Sequence, residues 1–492
     1  MEGTLKKTNV IYILSDQHNA LVMGNAGDPY VRTPNLDWLY ANGTGLDRCY
    51  CSAPLCVPSR ASILTGLLPS HTGVCNNMQC LRSDRVTMVH NLAVSGYETV
   101  LSGRMHFVGK DQRHGYEKRF VGDMTPSAIG VDNEYSIYGE FMRSSGQNTT
   151  SLRKSGSGNS AVLLFDRDVT DAACDFLKKR TDERPLFLTV GFYGPHCPYI
   201  APKELYQYYY ECLPELPREI CDEKKQIHPA IRKWYQNRQV EEVDAETVRR
   251  VRAAYYAMVE YMDGLIGEIL ETVRETIGLE DTMIVYGSDH GDNIGEHGLF
   301  WKTNFYEGAA RVPLVFAAKG RIPCGQHIRE LTSLVDLAPT LLAFTEADAL
   351  PECDGVDLKN VILGKEEADS NRMVLSYCSD IKGDEPSVML CEKNYKYVEH
   401  AGYEVPQLFD LEADPMELRD LGNKVPDGGA YMDLILKFRE KARQIWNADE
   451  ARRELNIAKK NYELLKKFNE LYPPEPIEEY QPDIASNYLD EM

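Results

Sequence analysis

The chain has 492 residues, enough for one large domain and a smaller one, and its 43% hydrophobic, 26% charged composition is that of an ordinary folded protein. A formal net charge of -21 excludes a nucleic-acid binder, which needs a basic face. An anionic substrate would have to be held by a metal and a few local cations rather than by the overall field.

The N-terminus runs directly into strand-like sequence, with no apolar signal core and no run long enough to span a bilayer. Thirteen cysteines, an odd number, lie scattered without a disulfide-framework spacing. The expectation is a cytoplasmic protein with reduced thiols and no membrane partner. Asn9 to Asp16, NVIYILSD, is a continuous apolar run ending in a carboxylate, the pattern of a central parallel strand buried on both faces. Thr33 to Ala41 has a Thr-Pro helix start, and Thr87 to Ser95 reads as a helix before a strand at Tyr97 to Gly103. Helical periodicity covers Ala161 to Lys179, and Pro185 to Phe192 is a second apolar strand. Glu246 to Thr276 is a long amphipathic helix with candidate breaks at Gly264 and Gly267. Thr282 to Asp289 is another strand ending in an acid, and Val312 to Ala317 a further strand. This alternation predicts an α/β domain over residues 1–365, with a large, mostly parallel central sheet flanked by helices. Ligands then belong at the carboxyl ends of the strands, where Asp16 and Asp289 both fall.

Two stretches interrupt the pattern. Gly122 to Ser160, rich in Ser, Gly and Asn, reads as loops, and Leu205 to Val240, with its YQYYY run, suits a cover over the site. Each fits a pocket-shaping insertion and a variable surface loop equally well. From about Gly364 short strands follow, Met373 to Cys378 and Val388 to Val398, and then a helix from Tyr431 to Trp446. They predict a smaller α+β subdomain with an antiparallel sheet over residues 366–446. Residues 447–492 hold a helix from Asp449 to Leu471 and a Pro- and acid-rich tail that cannot form a core alone. Such a tail frays or wraps on a neighbour, as the arm of a homo-oligomer would.

The segment Cys51 to Gly66, CSAPLCVPSRASILTG, carries the chemistry. Pro58 suits the first turn of a helix, which sets Cys56 just before a helix N-terminus, where free N–H groups favour an anion. Arg60 adds a cation shaped for an oxyanion. Alone, Cys56 reads either as a small buried residue or as a reactive cysteine beside an anion site. If Asp16, Cys56 and Asp289 converge, Asp16-Gln17 and Asp289-His290 would offer mainly oxygen ligands, with one imidazole or none. Such a set suits Ca²⁺ first, Mg²⁺ next and, through the nitrogen, Mn²⁺.

C-x-P-S-R followed by A-S-I-L-T-G resembles the signature of the type I sulfatases of the alkaline phosphatase superfamily. The resemblance continues in the family's order over roughly residues 9 to 425. NVIYILSDQ looks like its first strand and metal-binding acid. GYETVLSGRMHFVG resembles its G-Y-x-T-x-x-x-G-K-x-H segment, with Arg104 and His106 in the Lys and His positions. FYGPHCPY resembles the segment of the next active-site histidine, His196, and YGSDHGDNIGEHGLFWK that of the second metal acid and an active-site lysine, Lys302. QLFDLEADPMELRDL looks like the C-terminal subdomain signature.

The resemblance implies an alkaline phosphatase-like fold and a sulfuric ester hydrolase for a small or aryl sulfate. It implies that Cys56 is oxidised to formylglycine by a formylglycine-generating enzyme, and that Asp16, Gln17, Cys56, Asp289 and His290 hold the metal. Arg60, Arg104, His106, His196 and Lys302 would complete the catalytic set, with His106 as the base that lets the carbonyl re-form; His71 and Asn76 would contact substrate. Gln17, Arg104 and His290 depart from the commoner acid, lysine and asparagine. Asp-Gln with Asp-His resembles instead the branch of choline sulfatases and phosphonate monoester hydrolases. A phosphonate or phosphodiester hydrolase on the same scaffold, and a sulfatase-like binding protein without turnover, are the competing readings.

Overall fold

The computed structural model describes residues 7–131, 138–141, 143–216, 227–380, 382–422 and 431–490. In chain order its main elements begin with β1 (Asn9–Asp16), α1 (Pro34–Ala41), β2 (Gly43–Tyr50), α2 (Cys56–Thr65), α3 (Met88–Val94), β3 (Glu98–Gly103) and β4 (Lys118–Phe120). There follow α4 (Ala161–Lys179), β5 (Leu186–Pro195), α5 (Ala245–Thr276), β6 (Thr282–Ser288), β7 (Arg311–Val312), β8 (Leu314–Ala317), β9 (Gln326–Ser333) and α6 (Leu337–Thr345). The C-terminal part holds β10 (Met373–Cys378), β11 (Ser387–Glu392), β12 (Tyr395–His400), β13 (Gln407–Asp410), α7 (Met432–Ile445) and α8 (Ala448–Leu471).

β1 is the hub of the large sheet, parallel to β6 on one side and to β5 on the other. β5 continues in parallel to β3 and β3 to β4. On the β6 side, β8 is antiparallel to both β6 and β2, and β9 lies parallel to the far side of β2. The sheet is therefore mixed but mostly parallel, and helices cover both faces. Ile11 and Ile13 of β1 pack into a core shared with α4 and α5, while Val10, Tyr12 and Leu14 face the core of α2, α3 and α6. A strand buried on both faces needs apolar side chains at every position, which is why β1 reads as an unbroken run.

Several expectations need correction. α5 runs unbroken through Gly264 and Gly267. At Gly267 a Cβ would lie 2.7 Å from the Asn35 side chain, so this glycine lets α1 approach rather than breaking the helix. Asp263 of α5 then accepts the N–H groups of Asn35 and Leu36, supplying the cap that Thr33 does not. The expected strand Val312 to Ala317 is two segments divided at Pro313, β7 and β8, both against β2. β2 and β9 carry no periodic apolar signal, and both are nevertheless strands.

The four antiparallel strands β10 to β13 form the smaller sheet, with Tyr397 stacked on Phe438 of α7, ring centroids 5.5 Å apart. It is tied to the large sheet's side by Lys396, which is buried and donates to Phe305 O, Glu307 and Glu417. The tail wraps on its own chain: Tyr488–Leu489 pair with Gly158–Asn159, and Tyr480 N donates to Asp123 O. No helix among the described residues is long and apolar enough to cross a membrane, and the described cysteines are free thiols.

Candidate active site

Four parallel strands deliver side chains to one place. Asp16 ends β1, Asp289 and His290 follow β6, Arg104 and His106 follow β3, and His196 follows β5. Cys56 is the first residue of α2, with Leu55 as the helix cap, so its side chain sits at the helix N-terminus where an oxyanion is favoured. Pro58 lies in the first turn as expected.

Two arginines organise the acids. Arg60, 1% exposed, donates Nε to Asp289 at 2.7 Å, Nη2 to Asp16 at 3.0 Å and Nη1 to Arg104 O at 3.0 Å. Arg104 donates Nε to Asp16 at 2.7 Å, Nη1 to Asp123 at 2.6 Å and Nη2 to His106 Nδ1 at 2.6 Å. Burial disfavours the Asp16 carboxylate, but Arg104 and Arg60 outweigh it and hold its pKa well below the usual range. Lys302 donates Nζ to Cys56 Sγ at 2.9 Å and to His290 Nε2 at 3.1 Å. Despite burial its pKa is raised by Cys56, Asp16 and Asp289, so it is an ammonium. Burial pushes the Cys56 thiol up to about 11, and the nearby Asp16 adds to it, so as a thiol it is protonated at neutral pH.

The imidazoles have defined roles. His290 Nδ1 donates to Gly291 O at 2.9 Å, which leaves Nε2 as a lone pair 3.2 Å from Cys56 Sγ. His196 Nδ1 donates to Cys197 O at 2.7 Å, leaving Nε2 as the acceptor. In His106 the pattern reverses: Nδ1 accepts from Arg104, so Nε2 carries the proton. Burial lowers the pKa of all three, and Arg104 lowers His106 further. Gln17, His106, Trp301 and Thr303 all take left-handed backbone, at φ 72°, 53°, 62° and 65°. Non-glycine strain of this kind concentrates where a scaffold fixes side chains for chemistry.

The donor set fits a divalent cation. One atom each of Asp16, Cys56, Asp289 and His290 lies within 4.8 Å of the others, all buried. Gln17 Oε1 is buried without a hydrogen-bond partner, an acceptor that a cation would satisfy. Three oxygen donors and one imidazole are the chemistry of Ca²⁺, Mg²⁺ or Mn²⁺.

Cys56, Arg104, His106, His196 and Lys302 line a cavity of about 370 Å³, and Asn76 joins them. His71 does not. Its ring is largely exposed and paired with Asp354 at 2.7 Å, and His71 is not among the residues lining the cavity. Of the two insertions, Gly122 to Ser160 contributes to the wall through Thr125, Tyr138 and Gln147, whereas the described part of 205–240 does not line it. Sequence reasoning missed Asp123, which clamps both Arg104 and the His106 N–H, and the rim residues Asp380, Lys382 and Tyr462. Asp123 sits in loop-like sequence with no periodic signal, and Tyr462 comes from the distant helix α8.

Comparison with known proteins agrees with this geometry. The family model "Sulfatase" matches residues 8–347, and "N-sulphoglucosamine sulphohydrolase, C-terminal" matches residues 295–470. A choline-sulfatase of Rhizobium meliloti is 36% identical over 463 residues, covering 91% of this chain and 88% of the relative. An arylsulfatase of Clostridium perfringens is 28% identical, covering 85% and 90%. The fold is that of the phosphonate monoester hydrolase of Agrobacterium radiobacter, with a TM-score of 0.72 at 22% identity, covering 89% and 95% of the two chains. With the acids, cations and Cys56 converging at the sheet's carboxyl edge, these matches identify the chain as a member of the sulfatase family, hydrolases of sulfate esters.

Proposed function

We propose that the protein cleaves a small or aryl sulfate ester to alcohol and sulfate, using residue 56 after conversion of its cysteine to formylglycine. The observation that carries this is the convergence of Asp16, Asp289 and His290 on Cys56 at a helix N-terminus, with Lys302 2.9 Å from the sulfur. Sγ stands where a hydroxyl of the hydrated aldehyde would sit. That hydrate supplies an oxygen nucleophile for sulfur and a second hydroxyl, whose deprotonation re-forms the carbonyl and releases sulfate. A divalent cation, Ca²⁺ by its oxygen-rich set, would be held by Asp16, Gln17, Asp289 and His290 and would supply Lewis-acid stabilisation.

The protein's own groups divide the remaining work. Lys302 and the α2 N-terminus hold the sulfate oxygens, and Arg60 orients Asp16 and Asp289 through its hydrogen bonds to both. The base role expected of His106 sits better on His196, whose Nε2 is the acceptor nitrogen; His106 offers Nε2–H instead and is held there by Arg104. Asn76 is the substrate contact that the cavity supports. Maturation then needs a formylglycine-generating enzyme as a partner. By the same reading the chain divides into residues 1–365, 366–446 and 447–492.

A second reading, hydrolysis of a phosphonate monoester or phosphodiester, is favoured by the fold shared with the Agrobacterium enzyme and by the common tetrahedral geometry of the two groups. A panel of an aryl sulfate, choline sulfate, a phosphonate monoester and a phosphodiester separates them, using protein co-expressed with a modifying enzyme. The primary reading requires the highest kcat/KM on a sulfate. A higher value on either phosphorus ester rejects it.

A further inference from the structure

We propose that Asp292 is a positioning residue that turns the Gln17 amide so that its oxygen, not its nitrogen, faces the cation site; this rests on the reading of Gln17 as a metal ligand. Gln17 is fully buried and its backbone is locked: its N–H donates to Asp289 at 3.1 Å, and its carbonyl accepts from Tyr255 at 2.8 Å. What remains free is rotation of the amide, whose two ends differ only in being donor or acceptor. Asp292 Oδ2 lies 2.7 Å from Gln17 Nε2 and also accepts the Tyr199 hydroxyl at 2.8 Å. Oδ2, which already accepts the Tyr199 hydroxyl, stands toward Gln17 as an acceptor, so it selects the NH₂ end and directs Oε1 away from itself. Oε1 is the end left buried without a partner. Asp292 is itself fixed, since its carbonyl accepts from Asn19 Nδ2 at 2.9 Å, and Asn19 N–H donates to the same Tyr255.

This pairing gives a reason for an amide at position 17. A glutamate there would face the buried Asp292 carboxylate, two acids in one buried site. A glutamine avoids that repulsion, and the paired acid points its oxygen at the cation. Orienting contacts of this type typically change metal affinity by about 10- to 100-fold.

The test is calorimetric titration of Ca²⁺ into metal-stripped full-length protein, comparing wild type, Asp292→Asn, Tyr199→Phe and a double variant that combines Gln17→Glu with Asp292→Asn. In Asp292→Asn the new NH₂ can donate to Gln17 Oε1, letting the amide turn over; a loss of about 10- to 100-fold in Ca²⁺ affinity is expected. Tyr199→Phe, which leaves the Gln17 contact intact, should stay within about twofold. In the double variant the amide introduced at position 292 donates to one oxygen of the carboxylate introduced at position 17. The other oxygen then faces the site, so affinity should return to the wild-type value or exceed it. That rescue is not expected of a residue that merely fills space, and it tests the idea even if Asp292→Asn alone does not fold. Wild-type affinity in Asp292→Asn, or a double variant that binds at least tenfold more weakly than wild type (about the lower end of such contacts), overturns the inference. Wild-type protein that binds no Ca²⁺ overturns instead the metal reading beneath it.

Discussion

Removing the Asp123 carboxylate should disable the site from outside it. Asp123 accepts Arg104 Nη1 at 2.6 Å, His106 N at 2.9 Å, and Thr125 N and Oγ1 at 3.0 and 2.7 Å. Arg104 is 1% exposed, so Asp123→Ala leaves a buried guanidinium with Asp16 as its remaining acid. Breaking a buried pair in this way costs about 3–5 kcal/mol. Asp123→Asn keeps an oxygen for Arg104 and Thr125 but sets an NH₂ against the His106 backbone N–H, at a cost of about 1–3 kcal/mol. Both variants release His106 from its strained position, and a shift of about 1 Å in a catalytic group costs on the order of 100-fold in rate. The pH dependence has a definite sign. Burial opposes ionisation of Asp123, but Arg104 outweighs it and holds the carboxyl well below its ordinary value. Its contribution is therefore full above the unfolded pKa near 4 and is lost as pH falls below that. Thermal unfolding from pH 3 to 8 and turnover of an aryl sulfate check all three points. The expected order of stability is wild type, Asp123→Asn, Asp123→Ala, with the differences shrinking in acid. A variant melting within about 1 °C of wild type at neutral pH, where about 1 kcal/mol is worth a few degrees, with unchanged turnover, refutes the reasoning.

Other consequences are as direct. Lys302→Met removes the ammonium nearest residue 56, and kcat should fall about 10²- to 10³-fold without a change in fold, as steady-state kinetics and circular dichroism would report. Lys396→Met strands Glu307 and Glu417 in the junction between the sheets; the cost should be about 3–5 kcal/mol in denaturant unfolding, with KM unaltered. Burial pushes the Asp166 carboxyl up to about 7 although Tyr193 and Gly194 donate their N–H groups to it. A raised acid contributes stability below its unfolded pKa and loses it as pH rises through the folded one, so stability should decline between about pH 4 and 7. Asp166→Asn should flatten that decline in a melting series across the same range.

Much of the architecture is legible because burial on both faces leaves a continuous apolar signature. NVIYILSD, Ala161–Lys179 and Met373–Cys378 have the bounds their patterns suggest. β2 and β9 escape because GTGLDRCY and QHIRELTS have neither alternation nor an apolar run; long-range pairing makes them strands, and no local pattern encodes it. The acids at the strand ends and the Cys56–Arg60 turn are legible for the same topological reason that ligands gather at that edge. Residues contributed from far along the chain are not: Asp123 lies in polar loop sequence, Lys382 follows β10, and Tyr462 sits on α8. His71 follows the α2 segment closely in sequence, yet its ring pairs with Asp354 outside the cavity, a placement that sequence proximity does not encode.

What residue 56 becomes decides the mechanism. Trypsin should release residues 49–60, between Arg48 and Arg60, and fragmentation mass spectrometry can place any change among Cys49, Cys51 and Cys56. Conversion to formylglycine is a covalent modification that lowers the mass by about 18 Da before hydration. The account predicts that loss at Cys56 alone, in protein from a host with a formylglycine-generating enzyme, together with sulfatase activity that scales with the converted fraction. An intact thiol at Cys56 in protein that still turns over sulfate esters would contradict it.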